Sequence, residues 1–423
     1  MSWLWGSGPT DPNAPTFHPV TPRYPESELV GALEPRDIEW TCAGGFVTET
    51  QTYYNFLQDG SVFMCQVIHS SIGVWYPTVQ FTFLLYNPNT KETVWRSLNV
   101  SNFVAPAPGY DKRSCKADQF SVTYKQKPGS DYPEVYTIVA QVSEDVQVTI
   151  DISRPASTPG WKIGNGPKSG FSYYGADIEK PDGHVFHAFW PRTQSSGHII
   201  YKGKAIEADG PGIYIHAILG MRPNLIATRW NFADFQSDEH GGISAIQMEL
   251  TTPDAYGVKG SGSGGVKVNF GSLVVAGKLV CVTAETTLPG EKQPDDAKIK
   301  SRAIHYNTTI DPETTHPQPK EIGFVWEAPS ILDDAPGQVS ATVKLDVGTP
   351  SEPNSLVRKV DVLAEIPAVV KAVISYVAGA KPYIYQWKGA TTLNITAPDS
   401  ILPGASSGIS VEGNLFSEAT FVS

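Results

Sequence analysis

From residue 46 onward, apolar and polar side chains alternate with a period of two over most of this chain, the pattern of strands that bury one face. Phe46 to Phe56, Val62 to His69, Gln80 to Tyr86, Phe120 to Tyr124, Val135 to Val142 and Val146 to Ile152 all read this way. In Gln80-Phe81-Thr82-Phe83-Leu84-Leu85, the residues Phe81, Phe83 and Leu85 share one face. The links carry turn chemistry: Asn87-Pro88-Asn89, Pro108-Gly109 and Pro128-Gly129. Successive strands joined by short turns predict an antiparallel barrel.

The pattern resumes in Val185 to Phe189, His198 to Tyr201, Ile213 to Leu219, Ala227 to Phe232, Ile243 to Leu250, Val266 to Phe270 and Leu273 to Thr283. Further on come Ile322 to Trp326, Ser340 to Val347, Arg358 to Glu365, Leu393 to Thr396, Ser410 to Leu415 and Ala419 to Val422. Ile366 to Val377 fits a strand pair or one short helix. Gly257 to Gly265 and Leu288 to Lys320 are poor in apolar residues and read as surface loops. Ahead of the strands, Pro9, Pro12, Pro15, Pro19, Pro22, Pro25 and Pro35 remove backbone donors and predict an extended arm. The expectation is all-β: an N-terminal arm over 1–37, then two barrels over 38–220 and 221–423. No short-period repeat is present, so any duplication is one of structure.

Length agrees with that division, because 423 residues exceed one ordinary core. With 40% apolar and 18% charged residues the chain is globular, and 38 Gly with 34 Pro suit many turns. A net charge of -11 and the lack of a Lys/Arg cluster argue against nucleic acid and against adsorption to anionic membranes. No segment reaches the about 20 apolar residues of a spanning helix. The start, Met-Ser-Trp3-Leu4-Trp5-Gly6, lacks the basic and apolar regions of a secretion signal, so a cytoplasmic location is expected. Cys42, Cys65, Cys115 and Cys281 are widely spaced without a CxxC and read as free thiols.

Chemistry-bearing motifs are sparse. The loop Gly260-Ser261-Gly262-Ser263-Gly264-Gly265 lacks the Lys-Ser/Thr of a phosphate loop. His184 and His187, three apart on a strand, point to opposite faces and do not make a joint zinc site, so neither metal nor cofactor is expected. Asp295-Asp296 and Asp333-Asp334 read as solvated turns. More informative are polar residues within apolar strands: His69, His187, Arg192, His216, Arg229 and Asn231, with Trp230 beside the last two. Such groups need partners when buried. Two uses are open to them: a structural hydrogen-bond network, or reception of a ligand's polar head in a cavity.

Several strings resemble the fungal survival factor 1 family. They are Glu49-Thr50-Gln51-Thr52-Tyr53-Tyr54, Gln66 to Gly73, Val79 to Phe83, His187 to Arg192, Tyr214 to Pro223, Ala227 to Phe232 and Met248 to Gly257. The resemblance covers about residues 38 to 423. It implies tandem lipocalin-like barrels and non-enzymatic handling of a lipid, ceramide or a related sphingolipid, in support of survival under oxidative stress. It also implies peripheral contact with Golgi and endoplasmic reticulum membranes. Family members commonly begin with an amphipathic docking helix; here Trp3, Leu4 and Trp5 meet Gly6, Gly8 and Pro9, which leaves room for one short turn. The alternative is a lipocalin-like biosynthetic enzyme, of the Diels-Alderase or hydratase type, that folds a polyene or terpenoid in the same cavity.

Overall fold

The computed structural model of the chain describes residues 14–73, 77–257, 265–365 and 382–422. Its long strands in chain order are β1 (Gly45–Phe56), β2 (Val62–Gly73), β3 (Thr78–Asn87), β4 (Glu92–Asn99), β5 (Phe120–Gln126), β6 (Glu134–Ser143), β7 (Val146–Arg154), β8 (Gly183–Tyr201) and β9 (Gly210–Leu219). These nine form one antiparallel sheet in the order β4-β3-β2-β1-β9-β8-β7-β6-β5. The second sheet follows with β10 (Arg229–Ser237), β11 (Ile243–Thr251), β12 (Lys267–Val275), β13 (Lys278–Thr287), β14 (Lys300–Tyr306), β15 (Glu321–Pro329), β16 (Gln338–Asp346), β17 (Leu356–Asp361), β18 (Tyr383–Thr396) and β19 (Ile409–Phe421). Its order is β13-β12-β11-β10-β19-β18-β16-β15-β14, with β17 on β18.

Both sheets trace the same path. Four strands form a meander, and the last strand returns to pair with the first, β9 on β1 and β19 on β10. The likeness is topological, as expected for a chain without a short repeat. One sheet is a half-barrel and the other is nearly closed. Closure belongs to the second sheet, where the outer strands β13 and β14 lie side by side. The architecture is lipocalin-like and almost wholly β.

Because side chains alternate across each strand, two sheets create three compartments. Tyr53, Phe63, Phe81, Phe83, Tyr136, Ile150, Trp190 and Tyr214 fill the first barrel. Phe235, Phe324, Trp326, Val343, Tyr385, Trp387 and Leu415 fill the second. Between them lies a third apolar layer, in which Tyr54, Met64, Leu84, Trp161, Phe189 and Ile215 meet Phe232, Ile246, Phe270, Val274 and Phe416. Arg192 pins the two halves together. Its guanidinium reaches Gln236 Oε1, the carbonyls of Ser237 and Ile243, Ser244 Oγ and Asp238 at 2.7 to 3.3 Å.

The structure departs from the sequence reading at several elements. The arm is not freely extended: Phe17–His18 pairs with Phe171–Tyr174, and Val30–Ala32 pairs with Trp161–Ile163. Two of its prolines, Pro22 and Pro35, stand in the first turn of short 3-10 helices, where a missing N–H costs little. A buried ion pair, Lys162 Nζ to Asp37 at 2.8 Å, fastens the arm's end. β4 and β14 were not expected. In β14, which crosses the predicted 288–320 loop, the inward residues are Ser301, Ala303 and His305, and a polar barrel end conceals the alternation. Ile366 to Val377 and residues 258–264 of the glycine loop lie outside the described residues.

A candidate ligand crevice between the sheets

Strand register sorts the first sheet's outward face into parallel rows. One row runs Ile213, Tyr54, Met64, Leu84 and Trp95; the next runs Ile215, Thr52, Gln66, Thr82 and Ser97. Beyond them come Ala217, Thr50, Ile68 and Gln80, and then Leu219, Thr48 and Ser70. Opposite, the second sheet presents a row of Phe232, Glu418 and Gln386 and a row of Trp230, Thr420 and Ile384.

The two faces are more deeply buried at one end than at the other. At the closed end the Tyr54 ring lies 5.4 Å from Phe232 and 5.2 Å from Phe416, and its hydroxyl donates to Glu418 Oε1 at 3.1 Å. Burial raises the Glu418 carboxyl above its usual range, although Gln386 and Tyr54 both donate to it. At the open end Thr48, Thr50, Gln66, Ile68, Ser70, Ala217 and Leu219 are half-buried, as are Trp230, Ile384 and Thr420 across from them. This half-buried stretch, with apolar Ile68, Ala217, Leu219 and Trp230 interleaved with hydroxyl and amide groups, is the candidate ligand crevice. One flank is closed by β8, where His187 lies in the Ala217 row, its ring 6.1 Å from Trp230 and 5.4 Å from Phe270. Burial pushes the His187 imidazole down to about 3, so it stays neutral. At the other flank Trp95 Nε1 donates to Glu365 at 3.0 Å, and Gln80 Nε2 donates to the Glu365 carbonyl at 3.2 Å.

The polar lining is uncharged along these rows. Gln66 Nε2 donates to Thr52 Oγ1 at 2.8 Å, and Gln80 and Thr82 both reach Ser97 Oγ at 3.4 Å. Each of these amides and hydroxyls has further donor or acceptor capacity. Of the charged groups, Glu418 stands in the second sheet's facing row beside Tyr54, while Glu365 and Arg358 lie at the flank, Arg358 paired with Glu365 and stacked 4.3 Å over Trp95.

Of the residues singled out from sequence, His187 and Trp230 meet in this crevice, and the others do not. His216 and His69 point into the first barrel. His216 Nδ1 lies 2.7 Å from the Asp37 carbonyl and Nε2 lies 3.0 Å from Glu49 Oε1. Both neighbours are hydrogen-bond acceptors. Burial opposes ionisation of Glu49, but hydrogen bonds from His216 and Thr41 outweigh it and hold the carboxyl below its ordinary range. Arg229 and Asn231 face the second barrel. There Asn231 and Asn269 donate to Glu249 at 2.7 and 3.0 Å, His305 Nε2 lies 2.8 Å from Asn231 Oδ1, and Arg229 lies over Phe421. Arg192 is consumed by the turn that it clamps. Trp3, Leu4 and Trp5 lie outside the described residues.

Sequence reasoning missed the threonine, glutamine and serine rows. A signal for them exists in Thr48-Glu49-Thr50-Gln51-Thr52, a strand with polar residues on both faces, which an ordinary half-buried strand does not have. Two other concavities lie elsewhere on the molecule. A cleft of about 400 Å³ at the first barrel's mouth is bounded by Leu33, Ile38, Trp190 and the Arg154–Glu134 pair, and one of about 580 Å³ lies between Glu26–Val30 and the second sheet.

Comparison with known proteins gives a consistent picture. A family model described as the Svf1 family matches residues 2–423. The protein named ceramide-binding protein svf1 of Emericella nidulans is 31% identical over 411 residues, which is 96% of this chain and 94% of that protein. Ceramide-binding protein SVF1 of Yarrowia lipolytica is 32% identical over 432 residues, 100% of this chain and 98% of that one. Among solved structures, CghA is similar over 97% of this chain and 99% of its own, with a TM-score of 0.53 at 10% identity, a likeness of fold.

Proposed function

The chain belongs to the Svf1 family, and from that premise we propose that it binds ceramide and carries it between membranes in the crevice between its two sheets. The observation that carries this reading is the crevice lining, rows of apolar side chains interleaved with neutral hydroxyls and amides, with no unpaired cation among the described residues of those rows. A ceramide head offers an amide and hydroxyls and no phosphate. Its needs match Thr50, Thr52, Gln66, Gln80 and Ser97, which donate and accept without a net charge. A phospholipid would bring an anion against rows that offer no cation among the described residues to neutralise it. The chains explain why a carrier is required: exposing about 30 methylenes to water costs on the order of 25 kcal/mol at about 0.8 each. Ile68, Ala217, Leu219 and Trp230 replace that water with apolar contact. Docking on a membrane is assigned to Trp3, Leu4 and Trp5, since the two indole rings favour the interfacial region and Leu4 adds an apolar side chain between them.

Photo-crosslinking with a diazirine ceramide tests the reading. The label is expected in peptides holding Thr48–Thr52, Gln66–Ser70, Ile215–Leu219 and Trp230. Ala217→Trp, which fills the crevice from one wall, should lower ceramide uptake by about tenfold or more, and an excess of phosphatidic acid should not displace the label. Label confined to the cleft at the first barrel's mouth, or uptake unaltered in Ala217→Trp, would refute the placement.

A further inference from the structure

A second chemistry lies on the opposite face of β1, inside the mouth of the first barrel. Cys42 Sγ, a Glu49 carboxylate oxygen and a His69 ring nitrogen all lie within 4.8 Å of one another. A triangle with sides of that length has its centre at most about 2.8 Å from each corner. Zinc bonds to sulfur, nitrogen and oxygen run about 2.0 to 2.3 Å, so an inward shift of less than about 1 Å per side chain completes coordination. The donor set is thiolate, imidazole and carboxylate, the combination that zinc accepts among the common divalent cations.

His69 supplies an independent observation. Its ring is 3% exposed, yet Nδ1 has no hydrogen-bond partner among the described residues. A buried, unsatisfied imidazole nitrogen costs on the order of 1–3 kcal/mol, and a cation removes that cost. Glu49 has the surroundings of a ligand already oriented: His216 and the Thr41 amide hold Oε1, while the Cys42 amide and the Thr41 hydroxyl donate to Oε2. Partners of this kind fix ligand orientation in metal sites. Thr41 is exposed, so its hydroxyl can yield its place to an ion. Cys42 is half-buried and gives the site an opening to solvent. It also holds φ at +43°, a left-handed backbone uncommon outside glycine. None of these groups belongs to the lipid crevice, which lies across the sheet.

We propose that Cys42, Glu49 and His69 form a zinc site with one open coordination position. Cobalt alone is the probe, added to full-length protein first stripped with a chelator. One equivalent should produce a thiolate-to-cobalt charge-transfer band, displaced by an equivalent of zinc. Cys42→Ser should abolish the band, and His69→Gln should weaken cobalt binding by about tenfold or more, with near-ultraviolet circular dichroism showing that each variant is folded. A second measurement needs no variant: zinc should shield Cys42 from alkylation in the wild-type chain, as read by peptide mapping. Cobalt binding without a thiolate band, a band and affinity that survive either substitution, or equal alkylation of Cys42 with and without zinc would overturn the assignment.

Discussion

Asp234 projects from β10 into the layer between the sheets, where its Oδ1 accepts from Gln236 Nε2 at 2.7 Å and its Oδ2 has no partner among the described residues. Burial raises its carboxyl to about 7, against an ordinary value of 3.8. Between those values the folded chain holds a proton that the unfolded chain has lost, so this group lowers stability as pH rises from about 4 to above 7. The full effect is up to about 4 kcal/mol, at 1.36 per unit. Asp234→Asn keeps the acceptor for Gln236 and removes the titration. In urea unfolding, the variant should gain on wild type steadily between pH 4 and 8, and parallel stability curves would contradict the assignment. Arg192 acts in the opposite sense, since it satisfies acceptors on four residues of the second sheet and an ion pair with Asp238. Arg192→Ala strands those acceptors and should cost about 3 kcal/mol in the same measurement.

At the scale of the strand, the two faces of β1 look into different compartments. Its even residues from Thr48 to Thr52 line the crevice, while Glu49 and Gln51 point into the first barrel. The strand's position depends on how closely β9 approaches it. A Cβ at Gly212 would fall 2.0 Å from the Tyr54 carbonyl oxygen, a backbone atom that cannot move aside without breaking the ladder. Gly212→Ala is therefore expected to destabilise the fold by about 3 kcal/mol or more and to speed amide exchange in β1 and β9 before other strands. Exchange spread evenly over both sheets would argue against a local opening. Alternation located most long strands because one apolar face per strand is enough to mark them. It failed at β14, whose inward residues are polar or small, and at β4, where Thr93, Trp95 and Ser97 face the crevice and mix both classes.

For the whole molecule, the apolar layer between the sheets makes the halves interdependent. Tyr54, Trp161 and Phe189 from one side are buried against Phe232, Phe270 and Phe416 from the other, with Trp161 Nε1 donating to Ser272 Oγ at 3.0 Å. Calorimetry should then show a single transition whose van't Hoff and calorimetric enthalpies agree, and two separated transitions would mean that the layer contributes little. By itself the sequence determined the class of fold, the number of barrels and the family, because period-two alternation and long strings that resemble a known family are local properties of the chain. It also marked His69, His187, His216, Arg229 and Asn231 as polar residues in apolar strands. Only the tertiary structure decided where each of them went. In β8, Phe186, Ala188 and Trp190 are as apolar as Val185 and Phe189, so sequence cannot say which face meets the first barrel and which meets the second sheet. One step of parity separates His187 in the crevice from the first barrel's interior, and that parity is set by the pairing of distant strands.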